Sequence, residues 1–335
     1  MSEQSYIALI AEGTLKNITE IILGTGEKDK YNALMSKAYP EGQNIRGAFG
    51  YTFLEADAGI SQTYMENTPA VLYFRDARPR HFRDKGKLMP VMKENKFVNY
   101  RCTSCGDNIE SPTYMNKIVS IKLDRKTNSV ASGAFVKHEA ILGRSIFDFR
   151  VALNLKRGKE YASEFIAAVE KFSNEYIRLG KRRNKGKGLF TLEDVKYSTV
   201  TLNDIKKRAE ALKKKDKLIM YFFSDIVVDR KITVEMILRS IKNCAKFMHP
   251  EYESYNDPSL KIFSNTLPIK KIVFLDRKEG ISQKVIYENI IPKGGVVKLQ
   301  VKDASTMFWE ALALTEAFMG IGKRTSFGKG EFKIF

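Results

Sequence analysis

Cysteine and histidine are scarce in this chain: three of each in 335 residues. One cysteine is left over however they pair, so a disulfide framework is not expected and a reducing compartment is. The histidines, His81, His138 and His249, stand far apart, and none has a second catalytic candidate at an informative spacing for acid–base chemistry. No apolar run approaches the ~20 residues of a membrane span. Nor does a basic amphipathic helix stand out that would lie on anionic lipid. The opening MSEQSYIALIAEG has neither the basic stretch nor the apolar core of a secretion signal, so a cytoplasmic protein without a membrane partner is expected.

What the chain has in excess is positive charge. Lys and Arg number 57 against 39 Asp and Glu, a formal charge of +18 and a pI near 9.6. A surplus of that size repels itself in a compact state unless a polyanion neutralises it. Nucleic acid is the leading partner, because each phosphate neutralised releases a condensed counterion. The 43% hydrophobic and 11% aromatic content is that of a packed protein, not of a disordered basic tail. The length favours two domains over one.

Along the chain, alternation predicts strands at 5–18, 70–79, 145–155, 217–228, 269–277 and 295–301, a strand pair at 117–141, and a last short strand in GEFKIF. Helical periodicity marks 160–180, where Phe165, Ile166, Val169, Phe172, Tyr176 and Leu179 form one stripe and Gly180 is placed to cap. Further helices are expected at 233–248 and 305–320. The charge-dense 203–217 stretch, with Lys213, Lys214 and Lys215, reads as a solvated helix or a linker. Strands and helices recur in similar order in both halves. The expected fold is therefore α+β, two ferredoxin-like βαββαβ domains over 1–205 and 216–335, the first with an insertion at about 80–116.

Two stretches stand out. RLGKRRNKGKG (178–188) packs six Lys and Arg and three Gly into eleven positions, and GIGKRTSFGKG (320–330) nearly repeats it. Glycine lets backbone N–H groups approach a phosphate, while Lys and Arg supply neutralising charge. Both stretches lack the G-x-x-x-x-G-K-[ST] order of a nucleoside triphosphate loop. The alternative for either is a surface loop made soluble by charge.

GIGKRTSFGKGEFKI resembles the glycine-rich loop of the RAMP superfamily, the repeat-associated subunits of CRISPR-Cas effector complexes. YPEGQNIRGAFG (39–50) resembles the early segment of RAMP proteins, and LYFRDARPRHF (72–82), IKLDRKTNSVASGAFVKHEAI (121–141), RLGKRRNKGKG and IMYFFSDIVV (219–228) resemble, in the same order, segments of the cap subunits of type III complexes, the type III-D cap subunit above all. The resemblance implies two RRM-like domains, a grip on the 5′ tag of the guide RNA (crRNA), and contacts to the large polymerase-type subunit and the first backbone subunit, with target RNA met indirectly. It departs at Lys185 and Lys187, which intrude into the internal loop, and in the absence of a Ser-Ser before Arg46.

On this reading the RNA-binding residues are Arg46, Arg75, Arg78, Arg178, Lys181, Arg182, Arg183, Lys185, Gly186, Lys187 and Gly188. In the second half they are Gly320, Gly322, Lys323, Arg324, Ser326, Gly328 and Lys329. Tyr73, Phe74 and Phe327 are candidate stacking platforms, although alternation along a strand sends Tyr73 and Phe74 to opposite faces. Asp76 is the candidate catalytic group if the protein is instead a RAMP ribonuclease that slices target RNA, whereas a guide-processing endonuclease would use a histidine. Its alternative role is to pair with Arg75, Arg78 or Arg80 in a turn. Cys102 and Cys105 form one C-x-x-C followed by Gly106, half of a zinc knuckle. With Cys244 in another domain, two free thiols, a zinc site and a decayed site all remain open, and no cofactor is required.

Overall fold

The computed structural model of the chain describes residues 5–28, 34–56, 71–120, 136–181, 186–249, 252, 255–274, 285–325 and 328–335. The alternating stretch that opens the chain forms β1 (Tyr6–Asn17), followed by α1 (Gly42–Ala56), β2 (Leu72–Phe74), β3 (Ile146–Asn154), α2 (Ala162–Asn174) and β4 (Leu189–Thr201). Their sheet runs β4-β1-β3-β2, every neighbour antiparallel, with the two-residue strand Ile177–Arg178 added outside β4. That is the βαββαβ order of a ferredoxin-like domain.

After α3 (Leu202–Lys213) the pattern recurs as β5 (Leu218–Phe222), α4 (Val234–Met248), β6 (Ser259–Asn265), β7 (Val296–Lys302), α5 (Thr306–Phe318) and β8 (Phe332–Ile334). The second sheet runs β6-β7-β5-β8, the same order, first-strand partners included. The fold is α+β, a tandem of two ferredoxin-like units.

Each core follows from the pattern on its helices. In the first, Phe165, Val169 and Phe172 of α2 are buried, and Phe49 of α1 meets Phe74 and Phe172 edge-on at 5.9 and 5.6 Å. The predicted stripe runs past the helix: α2 stops at Asn174, Glu175 is extended, and Tyr176 is exposed. Gly180 is therefore not the cap. Its φ of +86° serves a turn six residues beyond the helix.

Three other expectations change. The 217–228 strand breaks after Phe222 into β5 and a separate strand, Ile226–Val228, because Ser224 and Asp225 turn their side chains to other backbone groups. The 269–277 stretch is real strand over Ile269–Phe274, but it pairs with Val285–Ile291 in an outlying three-stranded sheet. The core position belongs to β6, whose edge location leaves only Leu260 and Ile262 to signal it. The 203–217 connector is neither linker nor solvated along its length. Thr201 and Asp204 close a capping box at the start of α3, and Ile205, Ala209 and Leu212 are buried against the second core. Lys213, Lys214 and Lys215 at its end are exposed.

The domains share a packed interface. Ile7, Ala8 and Ile10 of β1, with Tyr73 and Ala152, belong to the hydrophobic cluster that also holds Phe222, Ile291 and Phe308 of the second domain. Two of the three candidate platforms are thereby accounted for: Tyr73 faces this interface and Phe74 faces the first core, so neither is presented to RNA. Among the described residues no helix is long and apolar enough to cross a membrane.

Candidate nucleic-acid interface

The two glycine loops occupy the same place in their domains, between the second helix and the last core strand. They are held by the same bonds. The Leu179 N–H donates to the Gly188 carbonyl at 2.8 Å and the Ile321 N–H to the Gly330 carbonyl at 3.0 Å. Lys181 N–H donates to Ile22 O (2.9 Å) and Lys323 N–H to Val227 O (3.0 Å); Gly188 N–H donates to Glu20 O (2.8 Å) and Gly330 N–H to Asp225 O (3.0 Å).

Glycine is required at the closing positions. Gly188 and Gly330 have φ of +74° and +69°, and a Cβ there would stand 1.9 and 1.8 Å from the carbonyl oxygens of Leu179 and Ile321. The matching frames set the common sequence G-K-R-x-x-x-G-K-G in register: Lys181 matches Lys323, Arg182 matches Arg324, and Lys187 matches Lys329.

The loops then diverge. The inner half of the C-terminal loop is inserted into the first domain. Lys329 Nζ lies 2.8 Å from Glu41 and 3.8 Å from Asp76, and the Asp76 carboxylate accepts the Gly42 N–H at 2.8 Å, capping α1. Gly328 passes so close that a Cβ would be 2.8 Å from Asp76 N. Burial pushes Asp76 up to about 6, with Lys329 opposing. Burial also pulls Glu41 upward, but Lys329 and Lys37 outweigh it and hold it well below the usual range. Lys329 is lowered by burial and raised more by Asp76 and Glu41. Asp76, a candidate catalytic group, is 3% exposed and serves as an anchor between domains.

The first-domain cations after β2 are likewise compensated. Arg75 reaches Glu331 at 2.8 Å and donates to the Ala317 carbonyl at 2.7 Å; Arg78 lies 3.5 Å from Glu331 and over the Phe223 ring at 4.8 Å. Burial would raise Glu331, and Arg75, Arg78 and Arg150 together hold it low. A cleft of about 510 Å³ at the domain boundary, lined by Arg75, Arg78, Arg150, Arg208, Glu316 and Glu331, thus has part of its positive charge neutralised and keeps a cationic surplus. Arg46 is half-buried in α1. His81, His138 and His249 are all buried, His249 stacked on Tyr252 at 4.5 Å.

The exposed cations lie elsewhere. Arg178 and Lys181 are exposed on the internal loop, where Lys187 pairs with Glu20 and Gly186 is open to solvent. Arg182, Arg183 and Lys185 lie outside the described residues, as do Ser326 and Phe327. In the second domain, Gly320 and Gly322 lead the outer half of the loop along α4. There a groove of about 390 Å³ is lined by Lys323, Arg324, Ser240, Arg239 and Asn243. Lys323 is 59% exposed and pairs with Asp229, and Arg324 pairs with Glu288 at 2.6 Å. Arg239 and Asn243, both exposed, were not foreseen. Their i, i+4 spacing on the polar face of a strongly amphipathic helix was the available signal.

The cysteine pair also gains company. Cys102 and Cys105 stand beside His81 and Asp84 in the insertion, while Cys244 is buried in α4.

No family model matches this chain, and no curated protein matches it. Among solved structures, the chain is similar to a Cas6 product complex at 12% identity, covering 99% of this chain and 100% of that one, with a TM-score of 0.48. It is similar to a chain of the type III-B Cmr-beta complex bound to cognate target RNA and AMPPnP at 11% identity, covering 87% and 86%, with a TM-score of 0.48. Cas6 of Thermus thermophilus is similar at 11% identity, over 99% of both chains, with a TM-score of 0.43. At these identities and scores the likenesses assign no activity.

Proposed function

We propose that this protein is a non-catalytic, guide-RNA-binding subunit of the RAMP class in a type III CRISPR ribonucleoprotein. It would act in the cytoplasm, gripping the 5′ tag of the guide and meeting the large polymerase-type subunit and the first backbone subunit. One observation carries the reading: two glycine loops with a common cationic sequence, fixed by the same hydrogen bonds at the same position of two ferredoxin-like domains, on a chain of charge +18. A rigid base with a cationic, glycine-rich crest suits phosphate, which has charge and shape but no sequence.

Lys181, Lys323 and Arg239 supply the phosphate contacts together with Arg178, and the same role is assigned by sequence to Arg182, Arg183 and Lys185. The half-buried, acid-paired Arg75, Arg78 and Lys329 act instead by holding the domains in fixed relation, so that both crests keep their spacing.

The ribonuclease reading has less to support it. Asp76 caps α1, pairs with Lys329 and is covered by Gly328, and the three histidines are buried. The test incubates the purified protein with guide-repeat RNA and with complementary target RNA, with and without divalent metal. Binding without cleavage is expected, with preference for RNA bearing the tag. Cleavage abolished by Asp76→Ala, or binding indifferent to the tag, would overturn the proposal.

A further inference from the structure

The insertion between β2 and β3 carries a second site, independent of the RNA reading. It contains a small sheet of Leu88–Lys93, Lys96–Cys102 and Asn108–Ile109, whose own core is only Leu88, Tyr100 and Cys102 with Phe97 and Ile109 packed against them. A core of that size does not hold three short strands unaided; natural scaffolds so small are stapled by disulfides or metal.

Four ligand-bearing residues meet at one end of this sheet. His81 Nδ1, an Asp84 carboxylate oxygen and the sulfurs of Cys102 and Cys105 all lie within 4.8 Å of one another. The separations are 3.0 Å from His81 Nδ1 to Asp84 Oδ1, 3.4 Å from Cys105 Sγ to His81 Nδ1, and 3.3 and 3.5 Å from Cys102 Sγ to the two Asp84 oxygens. A tetrahedron with Zn–S of about 2.3 Å and Zn–N or Zn–O of about 2.0 Å has edges of about 3.3–3.8 Å. The side chains stand close to those edges.

The backbone is shaped to hold them there. On one side, the Lys85 N–H donates to His81 O at 2.9 Å and the His81 N–H to Gly86 O at 2.8 Å, closing a turn with Lys85 at φ +55°. The Gly86 N–H donates to the Asp84 carboxylate at 2.8 Å and orients it. On the other side, Gly106 at φ +79° closes the Cys102–Cys105 turn through a 3.0 Å bond to Cys102 O, and the Ser104 N–H donates to Cys102 Sγ at 3.4 Å. An N–H aimed at the first sulfur stabilises a thiolate. Gly86 sits between the two turns, where a Cβ would be 2.6 Å from Cys102 Sγ. His81 and Cys102 are 3% and 2% exposed, so two of the four donors are already withdrawn from water.

The geometry points to a structural zinc site formed by His81, Asp84, Cys102 and Cys105. Two sulfurs, one imidazole and one carboxylate in a closed tetrahedron select zinc over calcium or magnesium, which want oxygen only. The metal joins the turn after β2 to the tip of the inserted sheet. That sheet abuts the second domain: Tyr221 donates to the Pro90 carbonyl, and Lys293 Nζ sits among the rings of Tyr39, Phe97 and Tyr100 at 4.5–5.1 Å.

The test uses the full-length protein, purified under reducing conditions and dialysed, with zinc measured by mass spectrometry. About one zinc per chain is expected. Asp84→Asn and Cys105→Ser, at the two more exposed ligands, are each expected to lower retained zinc about tenfold or more. Because a variant can fail to fold, the wild type gives a second measurement. Titration of thiols with a mercurial should release zinc in step with Cys102 and Cys105, before the buried Cys244 reacts. Replacement by Co²⁺ should give the sulfur-to-metal charge-transfer bands of a tetrahedral thiolate site. Zinc far below one per chain, zinc unaffected by both variants, or a Cys102–Cys105 disulfide in its place would overturn the proposal. None of these outcomes depends on RNA binding.

Discussion

Lys329→Met tests the division between buried anchors and exposed RNA contacts. The substitution keeps the aliphatic stem and removes the ammonium that lies 2.8 Å from Glu41 and 3.8 Å from Asp76. Asp76 is almost fully buried and Glu41 half-buried, and both would be left without that cation, a change that costs about 3–5 kcal/mol for a broken buried pair. For a chain of 335 residues that is about 4–7 °C in Tm.

The pH dependence has a definite sign. In the folded wild type Asp76 sits at about 6, above its ordinary 3.8, so its stability contribution is greatest below pH 4 and falls as pH rises toward 6. Glu41 is held low, so its contribution is present above its ordinary value near 4.5 and is lost as pH falls below it. Removing Lys329 raises both folded values. The deficit of the variant is therefore full at pH 8 and shrinks as pH falls toward 4.5. Thermal unfolding of both proteins between pH 4.5 and 8 measures it, and Asp76→Asn added to Lys329→Met should recover part of the loss at pH 8. A deficit below about 1 kcal/mol, or one that does not change with pH, would refute the buried network.

The other predictions concern the crests and their frame. Lys181→Ala and Lys323→Ala should weaken RNA binding about equally for all sequences. Each should also flatten the salt dependence by about 0.7 in slope for single strands, read by filter binding from 50 to 300 mM salt (about the usual working range); an unchanged slope counts against phosphate contact. Arg239→Ala should act in the same direction if the groove along α4 carries the strand, and the unfolding free energy should stay within about 0.5 kcal/mol of the wild type. Gly188→Ala and Gly330→Ala should each cost about 1–3 kcal/mol in urea unfolding, because φ is positive and the Cβ meets a carbonyl below 2 Å. Gly47→Ala, with nothing within 4 Å in the interior of α1, should instead gain about 1 kcal/mol.

Sequence by itself determined the parts. Alternation gave β1 and β3, and a helical stripe gave α2, because these elements bury one face against a local core and the period records it. The glycine loops were legible because positive φ and close backbone approach admit almost no other residue. Charge composition pointed to a polyanion. Legibility failed where a partner distant in sequence decides the outcome. An edge strand such as β6 buries too little to impose a pattern. The charged stretch of α3 hides the Ile205, Ala209 and Leu212 stripe that finds its apolar partner in α5. C-x-x-C in isolation leaves His81 and His138 as equal partners and does not disclose Asp84, which the turn after β2 delivers together with His81.

Only tertiary structure sorted the cations. Arg75, Lys329 and Lys181 are alike in sequence, each beside glycine, arginine or aromatics. The first two meet Glu331, Glu41 and Asp76 in a water-poor domain boundary, where opposite charges must pair, while Lys181 stands in solvent, where its charge remains available. Burial is a property of the assembled chain, and it is what separates a charge that builds the molecule from one that binds its ligand.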